Sequence, residues 1–342
     1  MTETVFPAEW SLQSGVQVTW PHAGTDWVPM LDEVTRSYLA FSKEILKREK
    51  LLVVTPHPQQ VTALFSAAEQ QNLTCVAVES NDTWARDHGG ISVFCNRKPV
   101  LLDFGFNAWG LKFAAHWDNR ITGKLYEKGT FHPDVAYRDC RRFILEGGAI
   151  ESDGEGTILT TTSSLLAPNR NQPMKSIDIE RYLKDALGAK RVLWLHNGFL
   201  EGDDTDGHID TLVRFCDAHT LAYVRCDDPK ETHYASLRAM EEELTRLVAY
   251  DGKPYRLMPL PMAEATYDRE GNRLPATYAN FLIINGAVLM PAYGTHRDAC
   301  AQKVLCELFP EREVVPIDCR PLIQQRGSLH CATMQFPEGF LS

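Results

Sequence analysis

Residues 51–56 read "LLVVTP", an apolar run rich in β-branched positions and stopped by proline, and this predicts a buried strand. The next stretch, "QQVTALFSAAEQQN" (59–72), is amphipathic and predicts a helix. "CVAVES" (75–80), "ISVF" (91–94) and "PVLLDFGF" (99–106) predict strands again. "FILEGGAIESDGEGTILTT" predicts strand, loop and strand, with Asp153-Gly154 making the turn. "SIDIERYLKDALG" predicts a helix capped by Ser176 and closed by Gly188. Strands follow at "RVLWLH", "TLVRFCD" and "TLAYVRCD", then a long helix in "ETHYASLRAMEEELTRLVAY". "NFLIINGAVLMPAYG" predicts a hairpin turning at Asn285-Gly286, "THRDACAQKVLCELFP" a helix, and "EVVPIDC" a strand. Strands, helix and strands thus recur at roughly 50–70-residue spacing, without a letter-level repeat. No Pro/Gly/Ser linker divides the chain, so residues 1–342 are expected to form one large domain of mixed α/β or α+β class.

Composition narrows the setting. Apolar residues make up 44% and charged residues 23%, ordinary for a globular protein. The opening "MTETVFPAEW" has neither the basic nor the apolar part of a secretory leader, and no run is long enough for a membrane span. A cytoplasmic location is therefore expected, with reduced cysteines. Nine cysteines without a CxxC pair disfavour both a disulfide framework and a zinc ribbon. A formal net charge of −10 argues against nucleic acid as a partner and is compatible with a small cationic substrate.

Three polar, glycine-bearing segments exceed what a plain core needs. "NDTWARDHGG" (81–90) presents Trp84 and Asp87; taken alone it reads as a capped turn. "EGDDTDGHIDTLVRF" (201–215) places five carboxylates between Glu201 and Asp210, with His208 among them. On a strand, His208 and Asp210 point to one face. The plain reading is a solvated acidic loop; a divalent metal is another, but no HxxxH, HExxH or EF-hand spacing accompanies it. "GSLHCATMQFP" (327–337) carries Cys331 after small and polar residues, which suggests a chain exposed at a loop edge, although a lone cysteine is more often buried and inert. Glu146 in "LEGGAIESDG" reads as a turn residue.

Taken together, the segments favour one chemistry. A cysteine nucleophile needs a base or cation, and His208 can serve. Asp87 and Asp210 are unhelpful beside a thiolate unless the substrate is a cation. A guanidinium fits: it is planar, permanently charged, and offers a fork of donors to two carboxylates while leaving its central carbon to the sulfur.

On these residues the chain resembles the agmatine deiminases, within the guanidine-modifying group that includes peptidyl-arginine and arginine deiminases. The likeness runs nearly end to end, through "FPAEWSLQSGVQVTWPH", "WARDHGG", "EGGAIESDGEGTILTTTSSLLAPNRN", "DDTDGHIDTLVRF" and "GSLHCATMQFP". The resemblance implies a five-bladed pseudo-symmetric α/β propeller built from ββαβ-type units, with the site at its centre. It implies Cys331 as nucleophile, His208 as general acid and base, Asp87 and Asp210 gripping the guanidinium, Trp84 lining the pocket, and Glu146 as a further substrate-side or supporting carboxylate. It implies hydrolysis of agmatine to N-carbamoylputrescine and ammonia without metal or organic cofactor, and a homodimer or larger assembly. The chain departs from the family's Asp-Glu-Thr-Asn at Asp203-Asp204-Thr205-Asp206; Asp204, one methylene shorter than glutamate, bears on substrate length. A substrate carboxylate would need a partner, for which Arg86, Arg170, Arg297 and Arg326 are candidates. The competing readings are a peptidyl-arginine deiminase with a more open cleft, a metal-dependent amidohydrolase centred on His208 and Asp210, and a silent guanidine-binding protein.

Overall fold

The computed structural model describes residues 3–342. Its organisation is one connection repeated five times: an antiparallel strand pair, a helical crossover, and a strand that returns parallel to the second of the pair. The first such unit joins Ile91–Cys95 and Lys98–Gly105 through the helix Ile121–Glu127 to Ala136–Ile144. The second joins Ile150–Ser152 and Thr157–Thr161 through Ser176–Leu187 to Arg191–Leu195. The third joins Val213–Asp217 and Thr220–Arg225 through Tyr234–Leu244 to Arg256–Pro261. The fourth joins Leu282–Ile284 and Ala287–Ala292 through His296–Leu308 to Glu313–Asp318. The fifth is assembled from both ends of the chain. Thr333–Pro337 pairs antiparallel with Gln13–Thr19, and the helix Leu31–Leu46 leads to Lys50–Thr55, beside which Leu73–Ala77 adds an edge. The fold is therefore mixed α/β. No sheet closes on itself among the described residues.

Local chemistry explains the turns. Asn96 and Arg97 both take positive φ, 50° and 64°, the handedness a two-residue hairpin needs. Gly286, at φ 72°, turns the predicted hairpin after Asn285, whose side chain is tied to the backbone of Gln13. Crossover helices bury one stripe each; Leu31–Leu46 buries Val34, Tyr38, Phe41 and Ile45.

Four expectations need correction. The helix predicted over 59–72 is two pieces, Pro58–Thr62 and a short 3-10 turn Glu69–Asn72. Ser66 N–H and Oγ–H both donate to Glu69 Oε2, and Gln70 Nε2 donates to the Thr62 and Phe65 carbonyls, so side chains satisfy the backbone that a continuous helix would have used. Ser176 is the first helical residue rather than the cap; the Asp178 carboxylate accepts from the preceding Lys175 N–H. The long helix predicted over residues 231–250 is confined to Tyr234–Leu244. His208 and Asp210 do not lie on a strand: Ile209–Thr211 is a 3-10 turn and the strand starts at Val213.

Candidate active site

Each polar segment occupies the same place in its unit, the few residues before the first strand. Trp84 to Gly90 precede Ile91, Glu146 to Ala149 precede Ile150, Gly207 to Leu212 precede Val213, Asn280 precedes Leu282, and Gly327 to Ala332 precede Thr333. Five equivalent entry points thus converge. Arg86 N–H donates to the Cys331 carbonyl at 3.1 Å, and Gly148 N–H to Asp87 Oδ1 at 3.1 Å. Asn280 Oδ1 accepts from the N–H groups of His330 and Cys331, while its Nδ2 reaches the Asp210 carbonyl.

A cavity of about 220 Å³ is lined by Trp84, Asp87, Trp109 and Cys331, and by Asp26, Asp82, Asp204 and Arg326. Trp84 is held flat against Gly327; a Cβ there would lie 2.3 Å from the indole. Cys331 is buried, at 5% exposure, and lies on the wall of this cavity rather than at the exposed loop edge expected. His208 and Asp210 are fully buried behind the wall. His208 Nδ1 stands 3.5 Å from Asp87 Oδ1, and Asp210 Oδ2 stands 3.9 Å from Cys331 Sγ. A Cβ on Gly148 would sit 2.6 Å from His208 Nδ1, 2.9 Å from Asp87 Oδ1 and 3.1 Å from Asp210 Oδ2. Glycine keeps open the point where these groups meet. His208 Nδ1 and Nε2 and Asp210 Oδ1 have no hydrogen-bond partner there, an arrangement that awaits a polar ligand.

Charge is distributed unevenly. Glu146, fully buried, is paired with Arg170 Nε at 2.9 and 3.2 Å, and Arg170 also binds Asp206 Oδ2 and the Thr205 carbonyl. For Asp210, burial opposes ionisation, but the hydrogen bond and charge of His330 outweigh it, so its pKa falls below the usual range. Asp87 has no such cation: burial and then the Asp210 charge push it well above the usual range. Burial lowers His208 to about 3. Burial, then Asp210 and Asp87, push the Cys331 thiol well up. Burial thus favours the neutral imidazole of His208 and the thiol form of Cys331.

A smaller cavity, about 40 Å³, is lined in part by Glu9, Arg86 and Glu151, and no cysteine lines it. Glu9, Glu151 and His330 bring ligand atoms within 4.8 Å of one another. The cation serving that cluster is Arg214, whose Nη2 binds Glu9 at 2.8 Å and Nε binds Glu151 at 2.6 Å.

A sequence model of the Porphyromonas-type peptidyl-arginine deiminases matches residues 5–337. The chain belongs to that family. It is 32% identical to the agmatine deiminase of Pseudomonas aeruginosa (strain UCBPP-PA14), over 97% of this chain and 95% of that protein. A crystal structure of a putative arginine deiminase from Porphyromonas gingivalis superposes with a TM-score of 0.96 at 55% identity, covering 99% of this chain and 100% of that one. A cysteine-to-serine variant of C. jejuni agmatine deiminase with substrate bound gives a TM-score of 0.91 at 38% identity, covering 99% and 97%.

Against this family background, Asp87, His208, Asp210 and Cys331 lie together, with Trp84 on the cavity wall, Glu146 4.0 Å from His208 Nε2, and Asp204 also on the wall. Of the candidate arginines, Arg86 and Arg170 are buried, Arg297 is exposed on a helix, and Arg326 lines the cavity. Trp109 was not anticipated: its Nε1–H donates to Asp87 Oδ2 at 2.9 Å. It rides a left-handed turn, with φ of 51°, 54°, 89° and 69° over Ala108 to Leu111. The three non-glycine residues among them, Ala108, Trp109 and Leu111, cost roughly 1–2 kcal/mol each. Asn107, accepting from Gly110 N–H and donating to the Asn169 carbonyl, holds the turn. Asn280 was also missed; the recurring place before each first strand is the signal that points to it.

Proposed function

We propose that this chain is an agmatine deiminase, hydrolysing agmatine to N-carbamoylputrescine and ammonia. The observation that carries the reading is the buried meeting point of Asp87, His208 and Asp210 at Gly148, beside Cys331 at the wall of an acid-lined cavity. Asp87 and Asp210 take the guanidinium. The Cys331 thiol, disfavoured as an anion in the empty site, is stabilised as thiolate by the arriving positive charge and gives its proton to neutral His208. Sulfur adds to the guanidinium carbon, forming a neutral tetrahedral adduct. His208 returns the proton to one nitrogen, the carbon–nitrogen bond breaks, ammonia leaves, and an S-alkylthiouronium remains on Cys331. His208 then takes a proton from water as its oxygen adds to the same carbon. Collapse breaks the carbon–sulfur bond and releases the urea; the hydroxyl proton restores the Cys331 thiol, and the proton on His208 passes to solvent, where the released ammonia takes it up as ammonium. Trp84 covers the head group, and Glu146 with Arg170 supports His208.

The substrate tail points to the same class. Asp26, Asp82 and Asp204 line the cavity, which suits an ammonium at the far end of a dication. Arg326 on the same wall supports a second reading, an arginine-type or peptidyl-arginine substrate whose carboxyl end meets that guanidinium. The five ββαβ units are read as blades of a pseudo-symmetric propeller closed by the terminal strands, residues 1–342 as one catalytic domain, and the protein as a cytoplasmic homodimer. Ammonia release from agmatine, L-arginine and arginyl peptides in parallel, with a thiol-blocked control, tests the activity. Preference for agmatine supports the first reading, and citrulline from arginine or peptides supports the second. Full activity after thiol blocking defeats both.

A further inference from the structure

Neither Glu9, from the "FPAEW" segment, nor His330, the neighbour of Cys331, acts in the chemistry above. Both are buried. His330 spans two carboxylates, with Nδ1 2.7 Å from Asp210 Oδ2 and Nε2 2.7 Å from Glu9 Oε2. Ionised carboxylates only accept, so both ring nitrogens must donate and the imidazole is a cation between two anions. Glu9 is fixed in turn: Oε2 also accepts from Arg214 Nη2 at 2.8 Å, and Oε1 from Ile283 N–H at 2.8 Å. On Asp210 the consequence is directional. Oδ2 is occupied by His330, while Oδ1 is buried and without a partner.

We propose that Glu9 and His330 are positioning residues for the deiminase reaction, a carboxylate–imidazolium relay that keeps Asp210 charged and its Oδ1 free to receive the substrate guanidinium. The proposal rests on the reading that Asp210 binds that group. It gives a reason for the N-terminal segment to reach the residue beside the nucleophile: Glu9 orients His330, and His330 orients Asp210. A purely structural tie between the two chain ends would leave the ligand-binding behaviour of Asp210 unchanged.

Agmatine affinity is therefore measured by calorimetry on Cys331→Ser protein, alone and with His330→Gln, Asp210→Asn, or both. His330→Gln is expected to weaken binding about 10- to 100-fold, the scale of one hydrogen bond to a charged group. In the Asp210→Asn background the same change is expected to cost less than about threefold, because its target is gone. With Cys331 present, His330→Gln is expected to move the acid limb of kcat/KM to higher pH. Asp210 then faces His208, Arg86 and Arg214 on one side and Asp87, Asp203 and Cys331 on the other without its nearest cation. Glu9→Gln is expected to act in the same direction more weakly, and it carries the same cycle if His330→Gln does not fold. Additive losses in the cycle, or an unmoved acid limb, overturn the relay while leaving the deiminase reading intact. If Cys331→Ser protein binds no agmatine and the unaltered enzyme releases no ammonia from it, the functional reading fails and the relay falls with it.

Discussion

Gly148→Ala isolates the geometry of the site from the stability of the fold. Gly148 is buried and its φ is not in the left-handed region, so alanine is allowed by the backbone. The added methyl would stand 2.6 Å from His208 Nδ1, 2.9 Å from Asp87 Oδ1 and 3.1 Å from Asp210 Oδ2. Against a comfortable separation of about 3.5 Å, the shortfalls are about 0.9, 0.6 and 0.4 Å. All three partners are packed side chains with almost no exposure, so the displacement falls on the groups that must meet the substrate. A misplacement of about 1 Å in a reacting constellation costs on the order of 100-fold, or about 2.7 kcal/mol of barrier. Overpacking costs roughly 1–3 kcal/mol of stability, and replacing glycine returns about 0.4–1. The variant should therefore fold, melt within several degrees of the parent, and lose at least about 100-fold in kcat/KM for agmatine. Ammonia release and a thermal melt on one preparation decide it. Activity within about threefold of the parent would mean that the reacting carbon is not held where these atoms converge.

Cys331→Ser should cut ammonia release by at least about 10³-fold while still binding agmatine, since an alcohol is a poor nucleophile without a strong base; residual turnover above that level counts against a sulfur adduct. Trp109→Phe removes the indole N–H from Asp87 and should lower kcat/KM about 10-fold at unchanged melting temperature; steady-state rates on agmatine check it. Burial and the Asp210 charge push Asp87 well above the usual carboxylate range, and a bound guanidinium would draw it back down. A group whose pKa falls on binding releases protons, so agmatine affinity should rise with pH. Calorimetry on Cys331→Ser protein in buffers of different ionisation heat should show net proton release on agmatine binding, and zero release refutes the assignment.

The strands were legible because apolar, β-branched runs such as Leu51–Val54 are buried here with almost no exposure, and such runs carry their own signal. The break in the helix expected over 59–72 was not, because it depends on Ser66 and Glu69 satisfying the backbone locally. His208 and Asp210 were expected to share a face by strand alternation; they converge through a 3-10 turn instead, so the pairing held although its geometric reason did not. Cys331, His208, Asp87 and Asp210 could be grouped because a thiol, an imidazole and two carboxylates in glycine-bearing polar segments suit a guanidinium better than they suit a plain core. Trp109 could not: a tryptophan in "FNAWGLKF" reads as core, and only the left-handed turn brings its N–H to Asp87. Glu9 and His330 are separated by nearly the whole chain, and no local pattern encodes their contact.

The charge arrangement explains why so many buried ionisable groups are tolerated. Burying a carboxylate is costly unless a cation accompanies it. Glu146 has Arg170, Asp210 has His330, and Glu9 and Glu151 share Arg214. Asp87 has hydrogen bonds from Trp109 and Gly148 but no protein cation; its nearest base, His208, is held neutral by burial. Among these acids, the one facing the cavity is the one left incomplete. A guanidinium supplies the missing charge, and in doing so removes the penalty that keeps Cys331 a thiol. A neutral ligand of the same shape would leave the upward push on both Asp87 and the Cys331 thiol in place. In the proposed scheme, recognition of the cation and activation of the nucleophile are one electrostatic event, in which neutral His208 takes the thiol proton as the substrate arrives.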